Sequence, residues 1–132
     1  FYEYVTDKRG KPKKQVDEKV FDLLKPVVGE DKNFSDEEII ARMMLPMCTE
    51  LARCLEEGIV GSVAEADLAL IYGLGFPPFR GGVFRWIDAM GIEKIADMSK
   101  AYEQLGKSYE LTEGMQAKLA GAEHYYPAAD LK

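Results

Sequence analysis

The sequence predicts an all-α domain of about six helices with a short extended N-terminal arm. Apolar residues recur at helical spacing over most of the chain. Two capping boxes, Ser35 with Glu38 and Ser62 with Glu65, open the two clearest stripes. Glycines and prolines punctuate the rest at intervals suited to short connections between helices. The arm is expected over residues 1–14, as a strand or short hairpin, and the helical domain over 15–132.

Each element has its own warrant. Phe1 to Thr6 is aromatic and β-branched with partial alternation, and Asp7-Lys8-Arg9-Gly10 is a turn signal. Lys11 to Lys14 reads as a poor second strand, because Pro12 has no N–H. Val16 to Leu24 has the pattern of a short amphipathic helix, stopped by Pro26 and Gly29. From Ser35 to Gly58 runs the most regular helix, with apolar positions Ile40, Met44, Met47, Leu51 and Leu55. A second row adds Ile39, Met43, Cys48 and Cys54, an arc wide enough for packing on more than one side. Pro46 lies within it and is expected to kink it, removing one backbone hydrogen bond. Glu56 and Glu57 at its negative end call for a cation, with Arg53 the local candidate. Ser62 to Gly73 forms the next helix, with Val63, Ala66, Leu70 and Ile71 on one side. Helices are expected over Gly82–Met90 and Ile92–Leu105, and Thr112 caps the last one. The tail at Tyr125-Tyr126-Pro127 is expected to be extended.

Composition narrows the function. With 132 residues, 47% of them hydrophobic, the chain can bury one core. No apolar run approaches the roughly 20 residues of a membrane span. A formal charge of −6 argues against nonspecific nucleic-acid binding. Cys48 and Cys54, six positions apart on one helix, project about 120° from each other and do not bridge. The absence of a CxxC spacing leaves no zinc signature. His124 has no orienting partner identifiable from spacing, so no general base is legible. Gly73-Leu74-Gly75 begins like a dinucleotide fingerprint, but Pro78 stands at the third glycine position and offers no N–H to a pyrophosphate.

The densest segment is GLGFPPFRGGVFRWID, Gly73 to Asp88, with four glycines, two prolines and four aromatics. By itself it reads as a tight corner between helices, with Phe76, Phe79, Phe84 and Trp86 supplying buried area. Together with IIARMMLPM and LEEGIV upstream, it resembles the C-terminal helical domain of the L-3-hydroxyacyl-CoA dehydrogenases. The likeness is strongest to the last domain of the multifunctional fatty-acid oxidation alpha subunits, which join enoyl-CoA hydratase and 3-hydroxyacyl-CoA dehydrogenase in one chain.

The resemblance implies a parent enzyme that uses NAD through a separate domain, where the catalytic His–Glu pair resides. It also implies that the helical domain contributes an Asn just before an Arg near the start of its first long helix. Here that pair is Ala41-Arg42, and alanine has no side-chain hydrogen bond to give. The implied role is therefore the second, silent helical copy, with no catalytic residue, cofactor or metal of its own. Its implied packing residues are Phe76, Pro77, Phe79, Gly81, Gly82, Phe84 and Trp86. Implied partners are the NAD-binding and first helical domains and a thiolase subunit, with a homodimer or protein-interaction module as the alternative. Lys11, Lys13, Lys14, Arg42 and Arg80 are candidate CoA contacts. A chain that opens on Phe1 is expected to be a segment of a longer protein, bacterial and cytoplasmic by resemblance or else mitochondrial.

Overall fold

The computed structural model describes residues 1–30 and 32–127. They form two compact units, residues 1–34 and residues 35 onward. The first therefore extends past position 14, where the arm was expected to end.

In the first unit, β1 (Tyr2–Thr6) and β2 (Pro12–Val16) pair antiparallel, with Tyr2 opposite Val16 and Thr6 opposite Pro12. The second strand, read from sequence as poor, forms after all. Asp7 N–H donates to the Lys11 carbonyl and Asp17 N–H to that of Phe1. Bonded pairs alternate with non-bonded ones, so Thr6 and Pro12 form a non-bonded pair. The missing proline N–H would have faced outward, and the ladder loses nothing. The Asp7 carboxylate accepts from the N–H groups of Arg9 and Lys11, both at 2.8 Å, and fixes the turn. Val16 is held in the strand, so the helix expected from Val16 begins three residues later, as α1 (Lys19–Leu24). No described residue of this unit is buried.

The second unit contains α2 (Asp36–Glu56), α3 (Val63–Leu74), α4 (Val83–Met90), α5 (Ile92–Tyr102) and α6 (Glu113–Gly121). Single 3-10 turns lie at Pro78–Arg80, Glu103–Leu105 and Lys107–Tyr109. All three expected caps form: Ser35, Ser62 and Thr112 accept from the N–H groups of Glu38, Glu65 and Met115. The core is built on Leu45, Cys48, Val83, Phe84, Ile87, Ile95 and Met115. The α5 stretch ends as α-helix at Tyr102 and tightens into a 3-10 turn at Glu103–Leu105.

Helix α2 runs through Pro46 without interruption. Proline at 46 leaves the carbonyl of Arg42, four residues back, without its usual N–H partner. The Tyr109 hydroxyl donates to that carbonyl at 3.3 Å. Buried Thr49 donates to the Ser108 carbonyl at 2.6 Å, and Arg53 to that of Lys107 at 2.8 Å. The 107–109 turn is thus fastened along α2 at three points. Arg53 also pairs with Glu50, not with Glu56 or Glu57 as the dipole argument had suggested. Glu56 instead accepts from the Thr112 hydroxyl, which makes the α6 cap part of a link to α2.

The wide apolar arc of α2 is only partly covered. Ala41, Leu45, Cys48 and Ala52 face the core, whereas Ile39, Ile40 and Met43 remain exposed, Met43 by 66%. Among the described residues, no helix is long and apolar enough to cross a membrane.

Candidate functional site

Two features of the second unit could carry function, a groove beside Ala41 and the glycine–proline corner. The groove encloses about 600 Å³ and is bounded by the first turns of α2, by Trp86 and Met90 of α4, and by Lys94, Met98 and Tyr102 of α5. Ala41 is among its lining residues and is buried, 6% exposed. The polar groups around it are Ser35, Glu37, Glu38, Lys94 and Asp97. Glu37 is held below the usual carboxylate range by its own backbone N–H and by the Ser35 hydroxyl. Glu38 pairs with Arg42 at 3.4 Å. The groove has apolar walls and charged margins but no imidazole. It can receive an apolar group.

The corner turns inward more than the sequence suggested. Of the seven residues expected to pack, Phe76, Gly82, Phe84 and Trp86 are buried inside their own domain, whereas Pro77, Phe79 and Gly81 stay at the surface. Phe79 was expected to supply buried area and is 84% exposed. The 3-10 turn is bracketed by Gly75 and Gly81, both left-handed. It carries Phe79 outward, with Arg80 over its ring at 5.5 Å.

Gly82 caps α4 but has no side chain to satisfy the helix's first N–H groups. Asp67, reaching across from α3, takes that role. Its carboxylate accepts from Phe84 N–H at 2.9 Å and Arg85 N–H at 3.3 Å. A Cβ at position 82 would overlap the Asp67 side chain, and the φ of +117° there already favours glycine. Asp67 also accepts from the Tyr126 hydroxyl at 2.9 Å.

The tail is more constrained than an extended segment. Tyr125 and Tyr126 donate their backbone N–H groups to the two oxygens of Asp88 at 2.8 and 2.9 Å. The Tyr125 ring lies 4.3 Å from that of Phe84, and the Arg85 guanidinium sits 3.8 Å over the Tyr126 ring. Burial raises both phenols, Tyr126 to about 12 with help from its bond to Asp67. Burial likewise pushes the Cys48 thiol up to about 12. His124 is half-exposed, with Nδ1 3.6 Å from Asp88.

Residues 39–126 match the family described as 3-hydroxyacyl-CoA dehydrogenase, C-terminal domain. The chain belongs to that family. The match covers α2 through the docked tyrosines and leaves the hairpin and α1 outside it.

The candidate CoA contacts fall on both units, Lys11, Lys13 and Lys14 on the first and Arg42 and Arg80 on the second. Arg42 is engaged with Glu38, and Arg80 stands over Phe79 at the corner. Neither lines the groove. Lys11, Lys13 and Lys14 are exposed on the hairpin, and the Lys14 ammonium lies 3.8 Å over the Tyr2 ring. No group of three or more metal-ligating side chains occurs among the described residues. Sequence reasoning missed Asp67, Asp88 and Tyr109. Asp67 did leave a signal, an acidic residue inside the apolar stripe of α3 between Ala66 and Leu70.

Proposed function

We propose that this is a non-catalytic, architectural domain of a multifunctional fatty-acid β-oxidation enzyme. The full chain would hydrate 2-enoyl-CoA and oxidise L-3-hydroxyacyl-CoA, with NAD bound by another domain. The observation that carries the reading is Ala41. Where the family resemblance calls for a substrate-orienting Asn, buried Ala41 lines the groove. A methyl group cannot orient a thioester or a hydroxyl.

An architectural role needs a surface for neighbours, and α2 with α3 supplies one. Pro46, Met47, Leu51, Cys54, Leu70 and Leu74, with Glu50 as the one charged member, line a shallow and largely apolar groove of about 340 Å³. Met43, Tyr72 and Leu74 are exposed on these two helices. This surface suits packing against the NAD-binding domain or the first helical domain. The expected site of action is the cytoplasm of a bacterium, in complex with a thiolase subunit.

The test is turnover. The purified chain is expected to show no NADH oxidation with acetoacetyl-CoA, and Ala41→Asn in the full enzyme is expected to leave kcat/KM within about twofold. Turnover by the isolated chain, or a tenfold change from Ala41→Asn, would refute the silent role. The size and apolar walls of the Ala41 groove favour a second reading, retained acyl-CoA binding. Calorimetry with acetoacetyl-CoA separates the two, because the silent domain should give no saturable heat.

A further inference from the structure

The docked tail is joined to α6 through the left-handed Ala122, and its contacts are concentrated in two residues. The surface that holds it belongs mostly to other elements. Asp67 comes from α3, and Phe84, Arg85 and Asp88 come from α4. That surface has reasons to persist without the tail. Asp67 would still cap α4 through Phe84 and Arg85 N–H. Phe84 and Ile87 would still be anchored in the core.

The contacts also have the form of peptide recognition. Asp88 reads two consecutive main-chain N–H groups, a feature any peptide offers. Selectivity comes from the side chains. Phe84 takes the first aromatic ring, Arg85 covers the second, and Asp67 accepts the second hydroxyl. The first hydroxyl, Tyr125 Oη, is buried without a hydrogen-bonding partner among the described residues, so the first position asks only for a ring. Lys118 of α6 adds a cation 4.9 Å from that ring.

We propose that Tyr125–Pro127 is a detachable strap, and that the slot beneath it recognises an aromatic-Tyr peptide segment, filled in cis here and open to one supplied in trans. The inference does not depend on whether the domain is catalytically silent.

The experiment uses a chain ended at His124 and the synthetic peptide N-acetyl-His-Tyr-Tyr-Pro-amide, followed by Trp86 fluorescence and by melting temperature. Saturable binding that raises the melting temperature is expected. Replacing both tyrosines of the peptide by alanine should weaken binding at least tenfold, and Phe-Tyr should bind as well as Tyr-Tyr. A folded shortened chain that does not bind at millimolar peptide overturns the proposal, as does equal binding of the alanine peptide. If the shortened chain does not fold, hydrogen exchange in the intact chain decides. The Tyr125 and Tyr126 amides should then exchange at least tenfold faster than that of Leu51 in α2. Exchange at the Leu51 rate would mean that the strap opens only when the domain unfolds, and the proposal would fail.

Discussion

Replacing Asp67 by alanine should be among the most damaging single changes in the helical domain. The carboxylate is buried and accepts three hydrogen bonds, two from the first turn of α4 and one from Tyr126. Bonds to a charged group contribute roughly 1.5–3 kcal/mol each. Part of that is offset because alanine no longer bears the desolvation of a buried charge. Phe84 N–H would be left buried with no acceptor, which costs about 1–3 kcal/mol on its own. A net loss of about 3 kcal/mol follows. For a domain of this size that is a fall of roughly 12 °C or more in melting temperature. Asp67→Asn should cost less, about 1–2 kcal/mol, since Oδ1 still serves Phe84 and the Tyr126 hydroxyl can reverse to accept from Nδ2. Only Arg85 N–H would then face a donor. Urea unfolding followed by the fluorescence of the single tryptophan measures both. A loss under about 1 kcal/mol for Asp67→Ala would refute the idea that this carboxylate caps α4.

Gly82→Ala should destabilise by roughly 2–4 kcal/mol, combining strain at positive φ with displacement of Asp67, and should lower the thermal midpoint accordingly. Trp86→Ala should cost about 3–5 kcal/mol, because the ring is buried between the core and the Ala41 groove; an unchanged circular-dichroism melt would contradict that burial. Alkaline titration should be destabilising. The Cys48 and Tyr126 values are raised on folding, so their contribution is full below about pH 8 and declines as pH rises toward 12, and Tyr126→Phe should flatten that decline. Iodoacetamide at pH 8 should accordingly modify half-buried Cys54 and spare Cys48, as read by peptide mass.

Helix existence was legible because it rests on local chemistry. Ser35, Ser62 and Thr112 bond to N–H groups three residues ahead, and such pairs can be read from the chain alone. What escaped was fixed by residues far apart in sequence. Whether Phe79 or Phe76 is buried depends on how one 3-10 turn rotates between two left-handed glycines, and no periodicity records that. The strand at Pro12 depends on which pairs of the ladder are bonded, a matter of register rather than composition. Of the candidate site, Ala41 and the corner were visible through resemblance. The Asp67 and Asp88 contacts were not, since their partners stand between 17 and 59 residues away.

Pro46 has a consequence for the order in which this domain can be completed. A chain grows from its N-terminus, and α2 emerges with the Arg42 carbonyl lacking its internal partner. The Tyr109 hydroxyl that donates to this acceptor arrives 67 residues after Arg42. The proline thereby turns a local gap into a long-range tie, joining the first long helix of the domain to a turn made late in synthesis.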